Sequence, residues 1–128
     1  MLKNLTILVG AVFIAVGILG FIPNPLVGPD GIFEADAGHN LVHLIAGIVL
    51  LLAGFKNETT ATLALQVFGG VYLLVGVIGF TMIDATGKGS LLGLVQINNA
   101  DNWLHIVLGI ALMGIPVVVK KTSSLSTA

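Results

Sequence analysis

The chain has 128 residues, of which 56% are hydrophobic and 9% charged, and its mean hydropathy is +1.09. This composition excludes an ordinary soluble domain and indicates a protein that lies in a bilayer. The absence of cysteine excludes disulfides and thiolate metal sites, and the absence of arginine with a net charge of −1 argues against nucleic-acid binding.

Four apolar stretches are long enough to cross the roughly 30 Å of hydrocarbon in a bilayer, which takes about 20 residues of helix. They cover about residues 2–22, 37–55, 60–82 and 100–119. The first stretch follows Lys3 in the manner of a signal peptide, but no small-residue cleavage pattern precedes Phe21. We therefore expect it to form the first helix of the fold.

Glycines recur seven residues apart within the first three stretches, which places each pair on one helical face. Helices associate in lipid through close van der Waals contact, and small residues permit that contact. The pattern predicts a tightly packed bundle whose helices cross at small angles. The predicted packing residues are Gly10 and Gly17, Gly47 and Gly54, and Gly69 and Gly76.

Two longer connections, about residues 23–36 and 83–98, carry apolar residues near their centres. Such side chains are unfavourable in water, so they fold over the mouth of the bundle, lie in the membrane interface or dock on a partner. A lid over the bundle is the simplest of these arrangements. The residues concerned are Ile32, Phe33, Leu91, Leu92 and Leu94.

One motif occurs in both the second and the fourth stretch, because residues 40–43, Asn-Leu-Val-His, return 62 positions later as residues 102–105, Asn-Trp-Leu-His. A second match, 59 positions apart, relates residues 17–21 to residues 76–80. We infer a tandem repeat of a two-helix unit, with both copies in the same orientation about a pseudo-twofold axis along the membrane normal. Repeat 1 covers about residues 2–56 and repeat 2 about residues 60–120.

Short polar residues mark the starts of the two helices that carry this motif: Asp36 is the predicted N-cap of the second, and Asn98 or Asn99 that of the fourth. His43 and His105 then lie on the order of 10 Å inside their helices. Because polar groups are costly in lipid, both should face the bundle interior, where the pseudo-twofold brings them together. The candidate polar cluster comprises His39, Asn40, His43, Asp101, Asn102 and His105.

Three functions are compatible with this cluster. In the first, neutral imidazoles hold the second and fourth helices together through hydrogen bonds. In the second, His39, His43 and His105 bind a transition metal, assisted by Asp36 or Asp101. As a variant of the second, His43 and His105 ligate a haem or a chlorophyll from opposite sides. The third is a proton or solute pathway, which the lack of charged residues midway along the spans disfavours.

Catalytic chemistry has little support in the sequence, so we expect a protein that is not an enzyme. There is no cysteine, and the serines lie at Ser90 and in the segment 123–126, away from the histidines. Trp103 opens the fourth stretch, which is typical of an anchor in the membrane interface.

Orientation follows from the lysines, because positively charged loops are retained in the cytoplasm. Lys3, Lys56, Lys120 and Lys121 fall on one side of the predicted topology, and only Lys88 falls on the other. Both termini are therefore predicted to be cytoplasmic, and the two long connections to lie outside.

A family resemblance is carried by the Gly-Phe ending of the first stretch and by two runs, His-Asn-Leu-Val-His-Leu-x-x-Gly and Asn-Ala-Asp-Asn-Trp-Leu-His. Through these segments the chain resembles a family of small bacterial four-helix membrane proteins, the domain of unknown function DUF4383. The resemblance covers about residues 5–118. It implies four spans in a bacterial inner membrane, and it implies no reaction, cofactor or substrate. Its characteristic positions are matched by His39, Asn40, His43, Asp101, Asn102, Trp103 and His105.

The sequence thus predicts an all-α, polytopic membrane protein with four transmembrane helices from a tandem repeat, forming a single membrane domain over residues 1–128 with a disordered end at about 121–128. The expected role is that of a structural or accessory subunit, in a homo-oligomer or a larger membrane complex. The alternatives are a metal-, haem- or chlorophyll-binding protein and a small transporter or channel.

Overall fold

The computed structural model describes the backbone of residues 1–126 and the side chains through residue 121. Four long helices dominate it, and each contains a stretch long and apolar enough to span a membrane. The predicted all-α fold with four span-forming helices is therefore confirmed. The helices are α1 (Leu2–Leu19), α2 (Ala37–Lys56), α3 (Glu58–Gly79) and α4 (Asn99–Ser126).

The helices α2 and α4 begin at their predicted N-cap residues. The Asp36 carboxylate accepts a hydrogen bond from the backbone N–H of His39 at 2.8 Å, which begins α2. The Asn98 side chain accepts from the N–H of Asp101 at 2.9 Å, so Asn98 takes this role for α4. Asn57 alone separates α2 from α3, and its side chain caps α3 through Thr60 N.

The ends of α1 and α3 differ from the prediction, because these helices stop at Leu19 and Gly79 rather than near residues 22 and 82. The chain tightens at both points into turns. Ile22 N donates to Leu19 O at 2.9 Å, and Met82 N donates to Gly79 O at 3.0 Å. The sequence stayed apolar through these turns, so composition gave no signal of the change.

All six glycines predicted to pack helices lie where a neighbouring helix approaches closely. A Cβ added to Gly47 would lie 2.7 Å from Gly10 O, and one added to Gly10 would lie 2.8 Å from Gly47 O. On the other side of the bundle, a Cβ on Gly69 would lie 2.9 Å from Gly109 O. The helices therefore form two tightly packed pairs, α1 with α2 and α3 with α4. Glycine permits these short distances because it has no side chain.

An apolar core fills the middle of the bundle. Its fully buried members, Leu50 and Leu65, pack with Phe13, Tyr72 and Leu112. Leucine and valine side chains on the outer faces of all four helices are exposed, as lipid contact requires.

The two connections at the far end from Asn57 contain four short strands that the sequence analysis did not predict. Two pair in parallel in the first connection, and two form an antiparallel hairpin in the second. The hairpin turns at Leu92 and Gly93, both with positive φ. The strands are β1 (Val27–Gly28), β2 (Phe33–Glu34), β3 (Lys88–Leu91) and β4 (Val95–Asn98).

The two connections hold each other over the bundle. The Lys88 ammonium donates a hydrogen bond to the Glu34 carboxylate, and Asn98 Nδ2 donates to Ile32 O at 2.9 Å. They form one cover over the ends of the helices. We call it the outer cover, comprising residues 20–36 and 80–98.

The C-terminal helix continues through Ser126, whereas the sequence analysis places a disordered end at about 121–128. Residues 127–128, and the side chains from residue 122 on, lie outside the described part of the chain.

Candidate functional site

The three histidines of the chain converge beneath the outer cover. Each offers a ligand nitrogen, and these three nitrogens all lie within 4.8 Å of one another. The imidazole centroids are 4.9 Å apart for His39 and His43, 5.7 Å for His39 and His105, and 6.3 Å for His43 and His105. We call these residues the histidine cluster.

His39 is held from the outer cover. Its Nδ1 lies 2.7 Å from the backbone carbonyl oxygen of Gln96 in β4. A carbonyl oxygen only accepts, so Nδ1 carries the proton and Nε2 keeps a free lone pair. This contact joins residues 57 positions apart, and no local sequence pattern announces it.

Asp101 completes the cluster on the α4 side. Its Oδ2 lies 3.4 Å from Nδ1 of His105, one turn along the helix, and its Oδ1 lies 3.8 Å from Nε2 of His39. The carboxyl group is almost completely buried. It occupies the position that matches His39 at the 62-residue offset, so one half of the bundle contributes an imidazole where the other contributes a carboxyl group.

The two asparagines of the predicted cluster lie at its edge. The Asn40 side chain fills the space beside Gly20, and the Asn102 side chain fills the matching space beside Gly79, so that a Cβ on either glycine would collide with the amide. Asn102 is fully buried, and its amide has no hydrogen-bond partner among the described residues. These residues fit the ends of α1 and α3 against α2 and α4.

Phe13 and Tyr72 border the cluster and were missed as site residues. The Phe13 ring stacks on His43 with centroids 5.3 Å apart, and the Tyr72 ring lies 5.0 Å from that of His105. The two rings also contact each other edge to face at 5.1 Å. They match each other at the 59-residue offset, which was a usable signal.

Several buried polar atoms around the cluster lack a hydrogen-bond partner. Among the described residues these include both ring nitrogens of His43, both of His105, Asp101 Oδ2 and the Tyr72 hydroxyl. An unpartnered polar group inside a membrane protein costs free energy and commonly indicates a ligand, an ion or a water. The described side chains therefore leave these polar atoms unsatisfied.

Two cavities adjoin the cluster from opposite sides. The α2–α3 cavity, of about 260 Å³, is lined by the three histidines, Tyr72 and apolar residues of α2, α3 and the outer cover. The α1–α4 cavity, of about 240 Å³, is reached by His39, His43 and Asp101 and is otherwise mainly apolar.

The apolar residues predicted at the loop tips divide into two groups. Phe33 lines the α1–α4 cavity and Leu91 lines the α2–α3 cavity. Leu92, Leu94 and Ile32 point outward with 77%, 70% and 58% of their surface exposed. Trp103 is also exposed on α4, where its ring packs on Phe80 at 5.2 Å.

Neighbouring groups shift the pKa values of two charged residues in the outer cover. The hydrogen bond from Lys88 to the Glu34 carboxylate raises the pKa of Lys88. Hydrogen bonds from the Thr86 hydroxyl and backbone N–H, at 2.5 and 2.7 Å, lower the pKa of Asp84.

Fold and site together define a multi-pass membrane protein with four span-forming helices and a buried histidine cluster at the covered end of the bundle. The family model described as Domain of unknown function (DUF4383) matches residues 3–118, so the chain belongs to this family and the resemblance seen in the sequence is confirmed. Comparisons with curated proteins and with solved structures find no match.

Proposed function

We propose that this protein is a membrane protein that binds a divalent transition-metal ion through His39, His43 and His105. The observation that carries the proposal is the approach of three ligand nitrogens to within 4.8 Å of one another in the bundle interior. Metal–nitrogen bonds of about 2.0–2.1 Å in a tetrahedral site set ligand atoms roughly 3.3–3.5 Å apart. Small side-chain rotations would bring the three nitrogens to this spacing.

The groups that contact Nδ1 of His39 and of His105 support this role. Histidines that bind metals usually donate their other N–H to a carbonyl or carboxylate, which fixes the ring and raises its basicity. His39 Nδ1 donates to Gln96 O, and His105 Nδ1 faces Asp101 Oδ2 at 3.4 Å. Both arrangements leave the Nε2 atoms of these histidines available to an ion.

Charge also favours a cation. The Asp101 carboxyl group is buried beside the imidazoles of His39 and His105, and the described residues place no lysine beside it. A carboxylate in such surroundings is costly unless a positive charge compensates it. Three imidazole nitrogens with a carboxylate beside them suit Zn²⁺, Fe²⁺ or Co²⁺.

The packing favours an ion over a haem or a chlorophyll. A macrocycle ligated by both His43 and His105 would have to fill the gap between their rings. The rings of His39 and Tyr72 flank that gap, with centroids 4.9 Å from His43 and 5.0 Å from His105. A transport role has less support, because the fully buried side chains Leu50 and Leu65 belong to an apolar core beside the cluster.

Elemental analysis of the untagged, natively purified protein tests the proposal, since an affinity tag of histidines would confound it. We expect stoichiometric metal in the wild type. His43→Ala and His105→Ala should each lower metal affinity by more than about a hundredfold. That loss is larger than the roughly 10- to 100-fold typical when a group hydrogen-bonded to a metal ligand is removed. Asp30→Asn, which changes an acidic residue of the outer cover away from the cluster, should keep full metal content.

Co²⁺ titration provides a second measurement, because its visible absorption reports the ligand set. Wild-type protein stripped of metal should bind Co²⁺ with a spectrum that disappears in His39→Ala. A folded wild-type protein that binds neither its native metal nor Co²⁺ would contradict the proposal.

A second candidate role is that of an accessory subunit in a homo-oligomer or a larger membrane complex. It is supported by three exposed apolar side chains of the outer cover, Ile32, Leu92 and Leu94, which are unfavourable in water. Crosslinking after mild detergent extraction should recover a defined assembly that Leu92→Asp with Leu94→Asp disrupts. A monodisperse monomer under several mild conditions would contradict this role.

We further propose a bacterial inner-membrane location with both termini in the cytoplasm, supported by the lysine distribution. The chain has no cysteine, so single introduced cysteines report their own exposure. A membrane-impermeant maleimide should label Ser90→Cys in intact cells and should label Lys120→Cys only after lysis. The reverse pattern would overturn this orientation.

A further inference from the structure

We infer that the α2–α3 cavity binds a lipid-soluble molecule with a neutral carbonyl head group, of the class of quinones, which enters from the bilayer and whose carbonyl oxygen meets Tyr72 and His43. This site shares His43 with the proposed metal site but does not require a bound metal. Three properties of the cavity identify its occupant: the side on which it opens, the polar atoms at its inner end, and the lack of a positively charged residue in its described lining.

The cavity opens toward lipid. Its outer edge is formed by Val42, Ile45 and Val71, which lie within the spans and expose about half of their surface, at 48%, 54% and 50%. Leu91, Val95 and the fully buried Ile97 of the outer cover close it toward the aqueous side. A molecule that enters this cavity therefore comes from the acyl-chain region and has an apolar body.

Two hydrogen-bond donors at the inner end of the cavity lack an acceptor among the described residues. A neutral imidazole carries one N–H, and both ring nitrogens of His43 lack a partner among the described residues. The Tyr72 hydroxyl is buried and equally unpartnered. A metal ion would use only one nitrogen of His43 and would leave the other as N–H. With or without a metal, the N–H of His43 and the hydroxyl of Tyr72 therefore lack an acceptor, which a carbonyl oxygen supplies.

The cavity favours a neutral head group, because its described lining contains no lysine. An anionic head such as a fatty-acid carboxylate would lose its hydration there without a compensating positive charge. A flat ring also suits the aromatic surroundings, since Phe68 and Tyr72 line the cavity beside the imidazoles.

Decylubiquinone is the probe, added to the metal-stripped protein in lipid nanodiscs, with thermal unfolding and the infrared carbonyl band as measurements. We expect decylubiquinone to raise the unfolding midpoint and to show a carbonyl band displaced by hydrogen bonding. Decylbenzene, which lacks a carbonyl, and decanoate, which is charged, should do neither. Equal stabilisation by decylbenzene or by decanoate would overturn the assignment of the head group.

Variants at matched positions identify the cavity. Val42 and Leu104 correspond at the 62-residue offset, are 48% and 43% exposed, and line the α2–α3 and the α1–α4 cavity respectively. Val42→Trp should abolish the effect of decylubiquinone, and Leu104→Trp should preserve it. Equal behaviour of the two folded variants would overturn the assignment to the α2–α3 cavity.

Tyr72→Phe removes one donor with little change in shape, and it reproduces the residue found at the matched Phe13. The loss of one hydrogen bond should weaken decylubiquinone about three- to tenfold and reduce the carbonyl displacement. Unchanged binding would contradict the role of Tyr72. Because the measurement uses metal-free protein, its failure is distinct from a failure of metal binding.

Discussion

The two halves of the bundle, α1 with α2 and α3 with α4, agree where the helices pack and differ where the site lies. Gly10 and Gly47 bring the first pair together, and Gly69 and Gly109, at the matched positions, bring the second pair together. In contrast, His39 on one side corresponds to Asp101 on the other. The comparison separates residues that build the scaffold from residues that give the cluster its chemistry.

This difference gives the cluster a composition that two identical halves would not have. A symmetric pair of His39-type residues would give four imidazoles and no negative charge. The observed combination gives three imidazoles and one carboxyl group within one buried space. Three neutral ligands with one carboxylate reduce the charge of a divalent cation without burying a second anion.

The largest expected effect comes from filling the matched contacts of the scaffold. A Cβ on Gly47 would lie 2.7 Å from Gly10 O, and one on Gly109 would lie 2.7 Å from Gly69 O. Backbone atoms cannot move aside as flexible side chains do, so Gly47→Val and Gly109→Val should each cost more than about 3 kcal/mol of stability. Thermal unfolding in detergent measures the loss.

Gly114→Val is the control, because it places the same residue in α4 where a Cβ meets no atom within 4 Å. It should leave the unfolding midpoint nearly unchanged apart from the helix-propensity term. If Gly47→Val unfolds the protein and Gly109→Val behaves like the control, the two helix pairs do not share one packing principle.

The next effect concerns the residues in which the halves differ. His39→Asp makes the first half resemble the second, replaces a ligand nitrogen with the oxygen of a shorter side chain and places a second acid beside Asp101, so metal affinity should fall by more than about a hundredfold. Asp101→His makes the second half resemble the first and removes the outer partner of His105, which should cost about 10- to 100-fold. Competition titrations with a chromophoric chelator measure both losses.

The order of these two losses is informative. A loss in Asp101→His as large as that in His39→Asp would show that Asp101 binds the ion directly. Full affinity in both variants would remove the histidine cluster as the metal site.

The sequence predicted the spans and the meeting of His43 with His105 because both follow from local pattern: apolar length for the spans, and a repeated motif for the histidines. The caps at Asp36 and Asn98 are equally local. The contact of His39 with Gln96 is not local, because a strand of the second connection reaches over α2. Side-chain chemistry at position 39 gives no indication of which loop covers it.

Tyr72 is a second residue whose contacts could not be predicted from local sequence. Its place in an apolar helix predicts burial, and its match to Phe13 predicts a position near the axis of the bundle. Whether its hydroxyl finds an acceptor depends on how the side chains of α2 and α4 are placed at that depth, and among the described residues it has no hydrogen-bond partner. A sequence pattern fixes faces and periods, whereas hydrogen-bond satisfaction depends on the packed arrangement.

The smallest expected effect concerns the outer cover, where the two connections meet through Lys88 and Glu34. The pKa of Lys88 is raised in the folded protein by its hydrogen bond to Glu34, so the contribution of this pair is complete below the ordinary lysine pKa of about 10.4. It is lost as the pH rises through the raised value. Lys88→Met should reproduce at neutral pH the loosening that alkaline pH causes in the wild type.

Amide hydrogen exchange of the strands in the outer cover measures this loosening after correction for the intrinsic pH dependence of exchange. We expect an acceleration of less than about fivefold in Lys88→Met, because Lys88 is more than half exposed and exposed pairs contribute little. Lys56→Met, at the opposite end of the bundle, is the control and should leave these amides unchanged. Exchange that is equally slow in Lys88→Met would mean that the bond from Asn98 to Ile32 and the buried Ile97 hold the connections together without the ion pair.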